Sequence, residues 1–309
     1  MISVIIIAYN RKIFLKDAIK SVLNQSLDRN FYEIIIVKNF KDKDIDDFIG
    51  QNGLLNIFSE DNTILGKFLE GITKSKGDII AFLEDDDRFH KDKLKIVNEI
   101  FSDEDVVYYH NASQYIDEDG KFLDRTNYGI SFNLSSISVR KSIIKTELMK
   151  NPVTSYIPDF FIYLCAIESG GEIVTDKRTL TYYMQHKNSS TWQYSEDFIN
   201  YSKSMLEIAE KSLISLEFFL SNFRNDNVKK LCKYKIINLK MATNKKLSSQ
   251  ELFYYLSFHE KYTDAIWILL KYIGFVNYFM PSKIQHLIEK ILYKKRVGPI
   301  IKRGYLSKN

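Results

Sequence analysis

The first hundred residues alternate between short, continuous apolar runs and stretches of helical periodicity, and this constrains the fold more than any other feature. Four runs carry it: Ile2 to Ala8, Tyr32 to Val37, Leu54 to Phe58 and Asp78 to Leu83. Runs apolar throughout, rather than at every second residue, suit strands covered on both faces by crossover helices. Between them Phe14, Leu15, Ala18, Ile19, Val22 and Leu23 share one helical face, as do Leu65, Phe68, Leu69 and Ile72. The pattern predicts βαβαβαβ in an α/β domain.

Beyond residue 90 the sheet is expected to turn mixed. Lys93 to Phe101 predicts a helix and Val106 to Tyr109 a strand, and Asp117-Glu118-Asp119-Gly120 marks an antiparallel turn. Phe160 to Glu168 predicts another helix, followed by two strand-like runs, Glu172 to Thr175 and Thr179 to Gln185. From about Ser195 only helical patterns occur. The expected division is therefore an α/β domain over residues 1–194 and a basic, aromatic-rich helical region over 195–309.

A length of 309 residues with 45% hydrophobic content is enough for a large core, and the net charge of +5 sits mostly near the end. The two cysteines, Cys165 and Cys232, fall inside apolar helical patterns far apart in sequence. They suggest neither a disulfide framework nor a metal motif, which fits a reducing, cytoplasmic setting. The segment after Met1 lacks a basic flank and a cleavage site and is too short to span a bilayer, so it is expected to be a strand.

In an open α/β sheet, ligands bind beyond the carboxyl ends of the strands. There the chain places Ala8-Tyr9-Asn10-Arg11, Lys38-Asn39, Glu60-Asp61-Asn62 with Lys67 a few residues on, and Glu84-Asp85-Asp86-Asp87. Four consecutive carboxylates after a buried strand repel one another, and a divalent cation backed by phosphate is their natural partner. On charge alone the run also suits a solvated loop capping the next helix. If the backbone stays extended, Glu84 and Asp86 point to one side and Asp85 to the other. Asp86 is then the expected metal ligand, Glu84 the ribose contact and Asp87 the start of the next helix.

These segments resemble the inverting family 2 glycosyltransferases of the GT-A fold, a Rossmann-like mixed sheet flanked by helices. Ser3 to Arg11, followed by Leu15, Ala18-Ile19, Ser21-Val22-Leu23 and Gln25-Ser26, is similar to the family's opening strand and helix. Glu33 to Val37 is similar to its second strand, and Gly77 to Asp87 to the strand leading into its DxD motif. Ser135 to Arg140 resembles the sheet segment on the acceptor side, Pro158-Asp159-Phe160 the acid that supplies the general base, and Tyr182 to Ser190 the closing strand and loop.

The resemblance implies a nucleotide-sugar donor, Mg2+ or Mn2+, and inversion by direct displacement at the anomeric carbon. It assigns Asp159 as base, the alternative being a helix N-cap. The implied donor set is Ala8, Tyr9, Asn10, Arg11, Asn39, Lys67, Glu84 and Asp85, with Tyr9 stacking on the base and Lys67 facing phosphate. Asp86 and His186 are assigned to the metal, His186 alternatively to the diphosphate. The chain departs from the family in three places: Lys38-Asn39 where an Asp usually meets the base, Lys67-Phe68-Leu69-Glu70 in place of Ala-Arg-Asn before Gly71, and Glu84 for Asp. The implied acceptor is a glycan or lipid-linked hydroxyl, as in surface polysaccharide synthesis.

Two rivals stand beside this reading. A nucleotidyltransferase would want a glycine-rich phosphate loop after strand one, which Ala8 to Arg11 lacks, and a non-catalytic module would bind donor without turnover. The run Ala265 to Met280 is interrupted by Lys271 and Asn277 and is too short to cross a membrane. Lys283, Lys290, Lys294, Lys295, Arg296, Lys302, Arg303 and Lys308, opposed by Glu289, suit an anionic membrane surface on the inner face of the cell membrane. Nucleic acid is not expected, because the aromatics near these charges fall at core-like helical spacing.

Overall fold

The computed structural model describes residues 1–186, 197–258, 275–276, 278–281, 283–291 and 293. Three of the four apolar runs form interior strands of one sheet, whereas the fourth, Leu54 to Phe58, lies at its edge and is not covered on both faces. β1 (Ile2–Ala8) is buried along its whole length and pairs in parallel with β2 (Tyr32–Lys38) and β4 (Ile79–Glu84). Ile2, Ile5 and Ile6 are fully buried, each stabilising the fold by about 1.5–3 kcal/mol through removal from water. β3 (Leu55–Phe58) extends the parallel set beyond β2 and is mostly exposed, as an edge strand.

The intervening helices bury the faces their periodicity predicts. α1 (Leu15–Leu23) buries Leu15, Ala18, Ile19 and Val22, and α2 (Lys43–Gln51) buries Ile45 and Ile49. α3 (Ile64–Lys74) starts at Thr63, whose side chain accepts the Gly66 N–H at 3.0 Å. It lies close on β1: a Cβ on Gly71 would stand 2.5 Å from Ile5 Cγ2.

The rest of the sheet is mixed. β5 (Arg88–Phe89), α4 (Lys93–Ile100), β6 (Val106–Ile116), β7 (Phe122–Asn127) and β8 (Ile137–Arg140) are followed by α5 (Thr146–Met149), α6 (Pro158–Ser169) and β9 (Glu172–Met184). β8 runs antiparallel to both β4 and β6, β9 parallel to β6, and β5 antiparallel to β9. Among the described residues the order is β3-β2-β1-β4-β8-β6-β9-β5, with β7 hairpinned on β6.

β9 is one strand where the sequence suggests two. Asp176 accepts the Tyr109 hydroxyl at 2.8 Å and Arg178 Nε at 2.6 Å, so the polar stretch Asp176-Lys177-Arg178 stays attached to β6. The extra residues are taken up as register shifts around Ala112.

The chain divides into two units, Met1–Gln185 and His186–Asn309. The boundary expected after residue 194 falls in 187–196, outside the described residues. In the second unit α7 (Phe198–Asn222), α8 (Asp226–Ala242) and α9 (Ser249–Ser257) are helical, as are residues 283–291. Ile237, Met241, Leu247 and Tyr255 form a core there, and Ser248 and Glu251 make a reciprocal cap on α9. Among the described residues no helix is long and apolar enough to cross a membrane. The closing loop 187–190, most of the run 265–280, and the basic residues from Lys294 onward lie outside the described residues.

Candidate active site

β4 ends at Glu84, whose N–H donates to Ser135 Oγ at 3.0 Å. The chain then turns, with the Asp87 N–H donating to the Glu84 carbonyl at 3.2 Å. The extended alternation expected for Glu84 to Asp86 therefore stops, and Asp85 does not turn away from its neighbours. Arg11 grips both: Nη2 lies 2.5 Å from Asp85 Oδ1 and Nη1 2.7 Å from Asp86 Oδ2. Asp87 does not start the next helix. Its Oδ2 accepts Asn133 Nδ2 at 3.0 Å and its Oδ1 the Met184 N–H at 3.1 Å, tying the turn to β9, while α4 begins six residues later at Lys93.

Burial and mutual repulsion shape the charges. Burial, then the neighbouring Asp86 charge, pushes Asp85 and Asp87 up to about 7, with Arg11 opposing on Asp85 and hydrogen bonds from Ser135, Met184 and Asn133 opposing on Asp87. Glu84 is raised well above the usual carboxylate range by desolvation, then by Asp86, Asp87 and Asp159. Such a set does not ionise fully at neutral pH without added positive charge. Burial disfavours the Arg11 charge, and Asp86 and Asp85 more than offset it.

The loops after β1 and β2 hold each other. Asn10 has φ +54°, a left-handed conformation asparagine tolerates. Its N–H donates to Asn39 Oδ1 at 2.9 Å, and Asn39 Nδ2 donates back to Asn10 Oδ1 at 3.1 Å. Lys38 is buried and turned to Asp46 (2.8 Å) and the Phe40 carbonyl (2.7 Å). Ala8 is buried at the end of β1, and Tyr9 is exposed with Lys67 Nζ 4.7 Å from its ring centre. Burial lowers the Lys67 pKa, against Asp61, Glu70 and Asp85. Asp61 Oδ1 accepts the N–H and hydroxyl of Thr63 at 2.7 and 2.6 Å.

Asp159 lies in the first turn of α6 and is not its N-cap, a position held by Ile157 with no side-chain bond. Its Oδ2 accepts the Asn133 N–H at 2.9 Å. Burial raises its pKa, against hydrogen bonds from its own N–H and from Asn133. Asn133, Ser135 and Lys93 were not singled out by the sequence. Lys93 is fully buried, donating to the Ser135 carbonyl and, at 3.0 Å, to Thr181 Oγ1. A lysine opening an amphipathic helix looks solvated in sequence, and its buried amine is met by Ser135, just before β8, and by Thr181 on β9. His186 is buried and opens the second unit.

Among the described residues no group of three or more His, Cys, Asp or Glu is arranged to hold a metal ion. A hard cation such as Mg2+ is often held by one or two carboxylates, with phosphates completing the shell. The turn offers that chemistry, because Asp85 Oδ2 is a buried oxygen with no hydrogen-bond partner.

A mixed sheet with flanking helices and an acidic turn after its fourth strand defines the GT-A fold. The chain belongs to glycosyl transferase family 2, whose pattern matches residues 3–169. It is similar to an uncharacterized glycosyltransferase of Rickettsia bellii, 33% identical over 132 residues, covering 41% of this chain and 19% of that protein. It is also similar to the Escherichia coli UDP-Glc:alpha-D-GlcNAc-diphosphoundecaprenol beta-1,3-glucosyltransferase WfaP, 26% identical over 72% of this chain and 93% of the relative. The chain spans about a fifth of the length of the first curated relatives it matches. Among solved structures it shares its fold with Staphylococcus aureus TarS 1-349 in complex with UDP-GlcNAc, with a TM-score of 0.56 and 14% identity over 82% of this chain and 78% of that one. The mannosyltransferase PcManGT of Pyrobaculum calidifontis, in complex with GDP-Man and Mn2+, has a TM-score of 0.55 and 10% identity over 94% and 84%.

Proposed function

We propose that this protein is an inverting glycosyltransferase that moves a sugar from a nucleoside diphosphate to a hydroxyl of a glycan or lipid-linked acceptor. The observation that carries the reading is Asp159, an enclosed carboxylate of raised pKa within the field of the acidic turn. A sugar hydroxyl is a weak nucleophile, so a base must take its proton as it attacks. Asp159 takes that proton, the acceptor oxygen bonds to the anomeric carbon, and the bond from that carbon to the diphosphate oxygen breaks with its electrons leaving on the diphosphate. Tyr9 offers an exposed ring to the nucleobase, Glu84 a carboxylate to the ribose, and Arg11 and Lys67 positive charge to the phosphates. Asp86 would hold Mg2+ or Mn2+, which stabilises the departing diphosphate charge when bound.

The E. coli relative acts on a diphosphoundecaprenol acceptor, which supports a lipid-linked substrate and work at the inner face of the cell membrane. The exposed Ile284, Leu287 and Ile291, at helical spacing beside Lys283 and Lys290, support contact with anionic lipid. Co-sedimentation with anionic but not neutral liposomes tests that contact, and unchanged binding after truncation at Met280 counts against it.

The donor is tested by thermal shift with UDP and GDP, each with and without Mn2+, followed by nucleoside diphosphate release from UDP-glucose, UDP-N-acetylglucosamine and GDP-mannose. Metal-dependent stabilisation by one nucleotide, with release from its sugar, is expected. Stabilisation without release favours the non-catalytic reading, and no stabilisation by either nucleotide removes the proposal.

A further inference from the structure

Asn133 has φ +60° and ψ 110°, outside the conformations most residues adopt. Such strain persists where the surroundings over-determine it, which is common at functional sites. The residue is buried, and two of its donors are directed at the acids. The main-chain N–H donates to Asp159 Oδ2 (2.9 Å), Nδ2 donates to Asp87 Oδ2 (3.0 Å), and Oδ1 accepts the Ser135 N–H (3.0 Å). Ser135 in turn takes the Glu84 N–H on Oγ and Lys93 Nζ on its carbonyl. One residue thus joins the acid of α6 to the last acid of the turn after β4.

We propose that Asn133 is a positioning residue that sets the Asp159 carboxylate against the acidic turn, an inference that rests on Asp159 being the general base. The hydrogen bond from the side-chain amide to Asp87 fixes where the 133–136 turn sits. The left-handed backbone then aims the N–H at Asp159, and the orientation of the carboxylate follows. Asn133 touches neither donor nor acceptor and acts through the other two residues. Proton transfer in a displacement is sensitive to such placement, a shift of about 1 Å costing on the order of a hundredfold in rate.

Two variants of the full chain separate the parts. Asn133→Gly keeps the N–H and adopts the conformation without strain but loses the amide to Asp87, whereas Asn133→Ala loses the amide and resists the conformation. The probes are nucleoside diphosphate release in water from UDP-glucose, UDP-N-acetylglucosamine and GDP-mannose, and the Mn2+-dependent thermal shift given by UDP and GDP. The expected result is a graded fall in release, about tenfold for Asn133→Gly and about a hundredfold for Asn133→Ala, with the nucleotide shift retained. The acid limb of the pH–rate profile moves to higher pH in Asn133→Ala, because alanine resists the positive-φ backbone and turns away the N–H that favours ionised Asp159.

Wild-type rates with an unmoved acid limb in both variants overturn the proposal. A rate that falls only in step with the nucleotide shift or the melting midpoint overturns it too, since that is loss of structure. Asp159→Asn separates the two layers of the argument. If that variant keeps the wild-type rate, or if the wild-type protein releases nothing from any donor, the base reading fails and the positioning role falls with it. If Asp159→Asn loses the rate and both Asn133 variants keep it, only the positioning role fails.

Discussion

Arg11 Nη1 lies 2.7 Å from Asp86 Oδ2, joining the loop after β1 to the turn after β4 across 75 positions of sequence. The same guanidinium reaches Asp85 Oδ1 at 2.5 Å. The acidic turn therefore carries its own cation. The fork geometry of arginine suits two carboxylates at once, which a lysine would not match.

Replacing Arg11 by Gln leaves Asp85, almost fully buried, without its counter-charge. Breaking a buried pair costs about 3–5 kcal/mol. The Arg11 side chain is 26% exposed, so solvent screening brings the expected loss nearer about 2 kcal/mol. Denaturant unfolding at pH 7 measures it. The deficit should shrink at pH 5, where Asp85 is protonated in either protein and the pair is weaker to begin with. A deficit of equal size at both pH values would contradict the pairing.

The two sides of the proposed site should separate by mutation. Asp159→Asn is expected to lower transfer at least about a hundredfold, within the range for loss of a general base, while UDP or GDP still stabilises the protein in the presence of Mn2+. Asp86→Ala is expected to abolish the metal-dependent part of that stabilisation. Thermal shift and nucleoside diphosphate release on the same preparations decide it. Equal loss of nucleotide binding in both variants would refute the division of roles.

The central strands β1, β2 and β4 were legible in sequence because burial on both faces leaves continuous apolar runs. The acids after β4 were legible as a group for the same reason. Their individual directions were not. The strand stops at Glu84 because Asp87 is bound by Asn133 and Met184, partners 46 and 97 positions away that no local pattern announces. The same long reach hid Asn133 and Lys93 and merged two expected strands into β9. Asp159 was singled out as a candidate through family resemblance, whereas local reasoning alone offered a helix cap that the structure places at Ile157.

One substitution, Gly→Ala, should have opposite effects at two helical positions. Gly71 faces Ile5 Cγ2 at 2.5 Å from where its Cβ would sit, with Val37 Cγ2 at 3.3 Å. Overpacking there costs about 1–3 kcal/mol, which exceeds the gain of about 1 kcal/mol in helix propensity. Gly50 in α2 is exposed, with nothing within 4 Å of an added Cβ, so the propensity gain stands and Gly50→Ala should stabilise by about 0.5–1 kcal/mol. Denaturant midpoints measure both, and a shared sign would show that the helix–sheet packing at Gly71 is looser than described.

His110 gives the fold a specific response to acid. It is buried on β6 with Nε2 2.8 Å from the Phe132 carbonyl, the residue before Asn133. A carbonyl only accepts, so Nε2 carries the proton of the neutral ring. Burial, aided by the Lys93 charge and opposed by the Phe132 bond, lowers the pKa from 6.5 to about 4. Between those values the unfolded chain binds a proton that the folded protein refuses, so stability rises with pH there. It is lost as pH falls from 6.5 toward 4, by about 3 kcal/mol from this ring, and changes little below. Asp85 and Asp87, with raised pKa values, act in the opposite sense, gaining relative stability as they protonate below about 7. The difference between the wild type and His110→Gln, which keeps a donor for Phe132, isolates the imidazole. That variant should lose about 3 kcal/mol less than the wild type between pH 7 and pH 4, and NMR should show the His110 ring neutral down to about pH 4. A ring that titrates near 6.5 in the folded protein would mean that His110 is not buried on β6 as described.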